Sequence, residues 1–482
     1  MQYSIVNKSM LHGNLRIDAE FYSPDYLQLE KTLNLHQTEA FSTYSFFVKK
    51  GIFDLSPDFY KEQGIPLVRT SEIKDPQIDF SSTVFLDEKT QALNCKTELT
   101  PGDLVFTKIG AYIGDVAMLP EKYERYNFSQ NVTGVKLKKD KVKSGFLLAY
   151  LLSKYGNEQI KRIIMLSGQG KLELEDIKNI KVVLLDENIK SLLHKIVLRA
   201  ELLKEESVNI YRDAEQILLS ELGLLNWEQK HCLSFIKNFS ATQTSERIDA
   251  EYYQPQYEEI VKAIRKYKDG FDELRNLTSL IGHPSNPPYE TKRSENKTFI
   301  ITQKHLANYF PVDDFWKDDE ALYTTDEFME RNKKFILKEN DLILYSVGAY
   351  IGKANIYNSK IKATIGSFLT LIRADQKAID PFYLLVFLNS SIGRLLTRRN
   401  SRGLAQQYIY PYDTKKVIVP LVKKNIQEKI ASLVLKGQHA NNTSKLLLEI
   451  AKRGVEIAIE KSEAEAEKWI KAEEKKIVEG KN

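Results

Sequence analysis

The sequence predicts an α+β fold built as two tandem copies of one mixed domain. Long helices separate and follow the copies, and they pair as an antiparallel coiled coil about a pseudo-two-fold axis. Three observations carry this. Residues 16–26 read RIDAEFYSPDY and residues 247–257 read RIDAEYYQPQY, eight identities in eleven at an offset of 231. The pentapeptide GAYIG stands intact at 110–114 and again at 348–352, an offset of 238. Two matches in the same order mark a duplicated domain, because solenoid repeats run to only a few tens of residues. Finally, two stretches carry apolar or small residues at alternating gaps of three and four, the seam of a coiled coil.

Bulk composition sets the frame. At 482 residues each half is long enough for its own core. With 42% apolar, 28% charged and 10% aromatic residues the chain is ordinary globular protein. A net charge of +5 is compatible with nucleic acid but too mild to establish it. Cys95 and Cys232 are isolated, which excludes a disulfide framework and a Cys-rich zinc site. The seven histidines stand singly, with no partner at metal-ligand spacing, so no metal site is expected. No apolar run approaches the length of a membrane span, and the start lacks an export signal; a soluble, cytoplasmic protein is expected.

Along each copy the elements follow in order. The RIDAE segment leads into a helix whose first position is proline, Pro24 or Pro255, where the missing N–H costs nothing. Short β-like runs come next, Ile65–Thr70 and Thr298–Thr302. Strand–turn–strand units follow at 103–119 and 341–357, then strands at 132–137 and 368–372, then apolar helices from Phe146 and from Phe382.

From Ile189 the seam runs through Leu192, Ile196, Leu203, Ile210 and Ile217, with small residues between. A second, richer in small residues, starts near Asn425 and includes Ile430, Leu433 and Leu447. A buried core helix is the alternative reading of each; length and charged flanks favour the coiled coil. Beyond Ile459 the sequence turns to Lys, Glu and Ala, and an exposed or frayed end is expected. The boundaries are therefore 1–185 for the first domain, 186–222 for the central helix and 223–246 for a linker. The second domain takes 247–423, and 424–482 the C-terminal helix with its charged tail.

This arrangement resembles the specificity (S) subunit of type I restriction–modification systems, over essentially the whole chain. Its local carriers are Gly102-Asp103-Leu104-Val105-Phe106 with Ile109-Gly110, and the counterpart Asn340-Asp341-Leu342-Ile343-Leu344 with Val347-Gly348. IPLVRTSEI at 65–73 and Ser129-Gln130-Asn131 look like that family too. The second copy departs from the pattern, with TFIITQKHL as a loose match and Gly366-Ser367 in place of Gln130-Asn131. The resemblance implies two target-recognition domains, each reading one half of a bipartite double-stranded DNA target. It also implies helices that set the spacer and dock two methylation subunits, with restriction subunits joining through the complex. S-adenosylmethionine, ATP and Mg would then belong to the partner subunits, and this chain would be non-catalytic. The seam at 189–217 would span about 43 Å, the scale of half-site separation on B-DNA, about 34–36 Å.

Comparison of the copies ranks the candidate contacts. Positions kept in both build the scaffold; polar positions that differ are candidates for base reading. Lys108 faces Ser346, and Arg69 falls opposite Ile301, near Lys304. Lys161-Arg162 with Gln169 and Lys171 corresponds to Arg398-Arg399 with Arg402 and Gln406. Arg, Lys, Gln and Asn make specific base-edge contacts, and paired basic residues suit phosphates. Taken alone, the basic pairs fit a solvated helix end better; their recurrence in both copies brings phosphate contact level with that reading. Tyr112 and Tyr350, at the tips of the GAYIG turns, would sit near phosphates.

Asn286-Pro287-Pro288-Tyr289 matches the catalytic loop of amino-methyltransferases, which holds a flipped base. No glycine-rich strand–turn–helix for a cofactor accompanies it, and the first copy reads Ser56-Pro57-Asp58-Phe59-Tyr60 at the same place. A scaffold turn is the preferred reading. The alternatives to a DNA-specifying subunit are an N6-adenine methyltransferase using this motif, or a scaffold binding two copies of a protein.

Overall fold

A computed structural model describes the chain apart from residues 1–3, 12–15, 75, 111, 165–169, 291–296, 307–308, 312–320, 349, 404–405 and 481–482. It divides into two compact units, Met1–Glu206 with Ala440–Asn482, and Ser207–His439.

In the first unit the helix Pro24–Leu33 begins at its proline, as expected. The strand–turn–strand unit forms Leu104–Thr107 and Val116–Met118, which pair antiparallel. They extend to a four-stranded antiparallel sheet through Val132–Leu137 and Ser45–Lys50. A smaller sheet sets Ile65–Val68 between Val84–Leu86 and Asn127–Phe128, the latter parallel. The second unit repeats this topology. Thr278–Gly282, Leu369–Ala374, Leu342–Tyr345 and Ala354–Ile356 make its four-stranded sheet, and Tyr323–Thr324, Thr298–Ile301 and Ala363–Ile365 the smaller one. Every residue of the four strands Leu104–Thr107, Val116–Met118, Leu342–Tyr345 and Ala354–Ile356 is buried. This explains their continuous apolar sequence, since sheets covered on both faces lose the in–out alternation.

Each unit buries a carboxylate at the turn before the strand–turn–strand unit. Asp103 accepts backbone N–H bonds from Thr100 (2.8 Å) and Leu137 (3.0 Å), and Asp341 one from Lys338 (2.7 Å). Arg373 closes on Asp341 through two bonds of 2.8 and 2.7 Å. The shared Asp-Leu motif is thus a scaffold feature.

The apolar helices are Ser144–Leu152 and Pro381–Asn389. Each stops at a serine, Ser153 or Ser390, whose Oγ donates to a carbonyl in the last turn at 2.6 Å. New helices, Lys154–Ile163 and Ser391–Arg399, restart at once. Glycine makes the tight corner possible. A Cβ on Gly156 would lie 2.3 Å from the Tyr150 carbonyl oxygen, and on Gly393 1.8 Å from that of Phe387.

The long helices are Glu187–Glu221 and Lys424–Glu460. In the first unit Ser444 Oγ donates to the Ala200 carbonyl (2.7 Å) and Lys204 Nζ to Asn441 (2.7 Å). A Cβ at Gly454 would come within 3.1 Å of Leu193, so the pairing runs antiparallel. In the second unit Ser207 Oγ donates to the Gly437 carbonyl (2.8 Å), the equivalent bond at the equivalent place in the repeat. Ile189, Ile196, Ile430 and Leu447 are buried, and Leu192, Leu203, Ile217 and Leu433 partly so. Ile210 is half-buried.

The apolar stripe is broader than the seam. Leu193, Val197, Val434 and Val455 are also buried, because each helix packs on the globular core of its unit as well as on its helical partner. The coiled-coil and core-helix readings therefore both hold.

The expected frayed end is corrected. Ser462 caps a separate helix, Glu463–Val478, accepting the Glu465 N–H. Ala466 and Ile470 are fully buried in the first unit's core, and a Cβ on Gly454 would strike Ile470 at 2.7 Å. Ala466 and Ile470, four apart on one helical face, with Trp469 and Ile477 partly buried beside them, fold this charged segment down.

Candidate nucleic-acid interface

The GAYIG turns project tyrosine into solvent. Gly110 and Gly114 have φ of 132° and 95°, and Gly348 and Gly352 of 92° and 83°, conformations that exclude most side chains. The tips carry Tyr112 and Tyr350, 62% and 56% exposed. Lys74 Nζ sits 5.8 Å from the Tyr112 ring and Lys353 Nζ 5.4 Å from that of Tyr350. Both copies thus present an exposed ring with a lysine over it.

The paired basic residues separate into two kinds. Arg162 donates through Nε to the Phe21 carbonyl (3.0 Å), pairs with Glu30 (2.9 Å) and lies 4.2 Å over the Phe21 ring. Arg16 covers the same ring at 4.2 Å and grips Asp18. The second copy repeats the sandwich: Arg399 donates to the Tyr252 carbonyl (3.0 Å) and stacks on Tyr252 at 4.4 Å, with Arg247 on that ring at 4.7 Å and bonded to Asp249. This explains why RIDAE is kept in both copies: it clamps the start of each domain to the helix Lys154–Ile163 or Ser391–Arg399. Arg162 and Arg399 are occupied in that clamp. By contrast Lys161 is exposed and touches only Glu158 (2.8 Å), while Arg398 is exposed with no carboxylate in reach among the described residues. Arg402 pairs with Asp413 (3.1 Å) and covers Tyr412 at 5.5 Å. Gln406 and Lys304 are exposed, and Gln169 lies outside the described residues.

Arg69 is tied down as well. Its Nε and Nη2 reach the fully buried Glu72 at 3.1 and 2.7 Å, and Nη2 also donates to the Ser82 carbonyl (2.8 Å). Glu72 in turn accepts the Arg69 backbone N–H (2.8 Å). In the second copy His305 Nδ1 accepts the Thr302 N–H (3.1 Å), so Arg69 stands opposite Thr302 and not opposite Ile301. The parallel pairs Val68↔Phe128 and Ile301↔Ile365 give the same register. Arg69, Tyr60, Asp54, Gln130 and Asn131 line a cleft of about 310 Å³. In the second copy Asn286 accepts from Ser367 Oγ (2.7 Å), and Gly366 lies near the Tyr289 hydroxyl. Tyr60 and Tyr289 each precede the bridge to the strand of the smaller sheet, Lys61↔Phe85 and Glu290↔Tyr323. The Asn-Pro-Pro-Tyr segment is thus the counterpart of 57–60, in keeping with a scaffold role.

Lys108 is the exception among the cations, at 6% exposed. Burial holds its ammonium below the ordinary lysine range; Glu173 opposes this, while Lys171 and Lys50 add to it. Lys171 pairs with Glu173 at 2.5 Å. Lys50 had no signal in the sequence comparison, because its proximity to Lys108 arises only when two distant strands flank a third.

Among the described residues no group of His, Cys, Asp and Glu could hold a metal ion, and no helix is long and apolar enough to cross a membrane.

A family model for the type I restriction modification DNA specificity domain matches the chain twice, over residues 45–192 and 284–444, together more than half of its length. No curated protein matches. Similar solved structures include the S subunit of a type I restriction-modification system from M. genitalium, 12% identical with a TM-score of 0.41, covering 86% of this chain and 94% of that one. Another is the HsdS subunit from Thermoanaerobacter tengcongensis, 14% identical with a TM-score of 0.27, covering 92% and 97%. The chain, with two tandem α+β domains of one topology and paired long helices, belongs to the type I restriction modification DNA specificity family.

Proposed function

We propose that each of the two domains reads one half of a bipartite double-stranded DNA target, and that the paired helices set the spacing and dock two methylation subunits. The chain itself carries no catalysis. S-adenosylmethionine, ATP and Mg serve the methylation and restriction subunits, and the complex works in the cytoplasm. The observation that carries this reading is the contrast between the copies: they share topology, buried carboxylate, arginine–aromatic clamp and glycine turns, but differ at exposed or groove-lining polar positions. Duplication of a scaffold with divergence of its polar face suits two readers of different sequences. Tyr112, Tyr350, Lys161, Arg398, Arg402, Gln406, Lys171 and Lys304 supply the DNA contacts. Arg162, Arg399 and Arg69 hold the shape of the face.

The test is methylation-site mapping of the complex assembled with a chimera whose residues 1–185 come from a related chain. Base-edge contacts are local, so one half of the target should change and the other persist. A target altered in both halves would refute modular reading. Removing one heptad from the central helix, about 10 Å of rise, should leave both half-sites intact and shorten the spacer by about three base pairs. Unchanged spacing would show that the helices are not the ruler.

A further inference from the structure

The first domain gathers three lysines at one end of its four-stranded sheet. Lys50 ends the strand Ser45–Lys50 and stands opposite Thr133. Lys108 directly follows Leu104–Thr107; its N–H donates to the Asn131 carbonyl (2.9 Å) and its carbonyl accepts the Leu172 N–H (3.1 Å), which brings Lys171 alongside. Lys50 and Lys171 lie near enough to act on the Lys108 charge, with Glu173, paired with Lys171, as the nearby counter-charge. Among the described residues no hydrogen-bond acceptor takes the Lys108 ammonium, although the residue as a whole is only 6% exposed. An ammonium whose stem is packed and whose donors are not taken up by the protein is placed to meet an acceptor that a ligand supplies.

The second domain has the same backbone at this spot and none of the three lysines. Ser346 donates its N–H to the Phe368 carbonyl (3.2 Å) and accepts the Ile409 N–H (2.9 Å), matching both bonds of Lys108. Its hydroxyl is buried against Thr370 (2.7 Å). The counterpart of Lys171 is Tyr408, which begins a row of rings with Tyr410 (4.4 Å) and Tyr412 (5.5 Å from Tyr410). By strand register, the counterpart of Lys50 is His283.

We propose that Lys50, Lys108 and Lys171 form a binding site for an electronegative acceptor group of DNA, a guanine O6/N7 edge or a backbone phosphate, present in the first domain and replaced in the second by an aromatic surface whose neighbouring Arg402 is already paired with Asp413. The two half-sites are then met by different chemistry. This rests on the DNA-reading function above.

The experiment uses the complex with its methylation subunits and the variant Lys108→Met, which keeps most of the aliphatic stem. Lys171→Met, at a half-exposed position, decides the matter should the first variant fail to fold. Methylation-site mapping and salt-dependent binding to a target duplex are both read. Loss of discrimination for guanine at one position of the first half-site, by about 5- to 150-fold, identifies a base edge. Uniform weakening on all sequences, with the salt slope reduced by about one, identifies a phosphate. If the wild-type complex methylates a bipartite target and the folded variant matches it in both readouts, the site is overturned while half-site reading stands. If the wild-type complex shows no bipartite target, the function proposed above fails first.

Discussion

Arg373→Ala is expected to destabilise the second unit by about 3–5 kcal/mol. Asp341 has a side chain only 2% exposed. Arg373 meets both of its oxygens and also donates to the Ile336 carbonyl (2.8 Å) and the Lys334 carbonyl (3.2 Å). Removing the guanidinium leaves a buried carboxylate without its counter-charge and takes the donor from the part-buried Ile336 carbonyl. The double variant Asp341→Asn, Arg373→Met should recover part of the loss, because the cost lies in the uncompensated charge. The first unit offers a milder comparison: Asp103 has Lys139 at 3.4 Å, and that lysine is 40% exposed. Urea denaturation of the full chain, with probes in each unit, reads the effect. A shift below about 1 kcal/mol for Arg373→Ala would mean the pair is solvated and the account wrong.

Gly393→Ala is expected to cost about 3 kcal/mol or more, the upper range for overpacking. The obstacle is backbone, since the new Cβ would fall 1.8 Å from the Phe387 carbonyl oxygen and 2.7 Å from its carbon. No rotamer change relieves such a clash; the helix Ser391–Arg399 must move away from Pro381–Asn389. That movement would also disturb Arg399 on the Tyr252 ring. Gly156→Ala should behave alike in the first unit. Hydrogen exchange across 381–399 would report the loosened corner, and unchanged protection would contradict the steric argument.

Much of this architecture was legible in the sequence because it was written twice. The proline-started helices, the strand–turn–strand units and the long helices all announce themselves through local pattern and its recurrence. Contacts between distant segments did not. Arg162 looked like a free cation, yet it meets Phe21 and Glu30 far back in the chain. The equivalence of Arg69 and Thr302 escaped counting because the copies have loops of different length, and only hydrogen bonding fixes the register. The helix Glu463–Val478 was missed because its charged residues outnumber the Ala466 and Ile470 that anchor it.

The first unit is discontinuous in sequence, whereas Ser207–His439 is one unbroken stretch. During synthesis, at roughly 5–20 residues per second, residues 1–206 wait about 10–50 s for residues 440–482. Over that interval the helical segment bearing Leu193, Ile196, Val197 and Ala200 lacks the strand of chain that later covers it. The domain made first is thus completed after the second has been made, and the nascent chain must tolerate an open apolar face until residues 440–482 emerge.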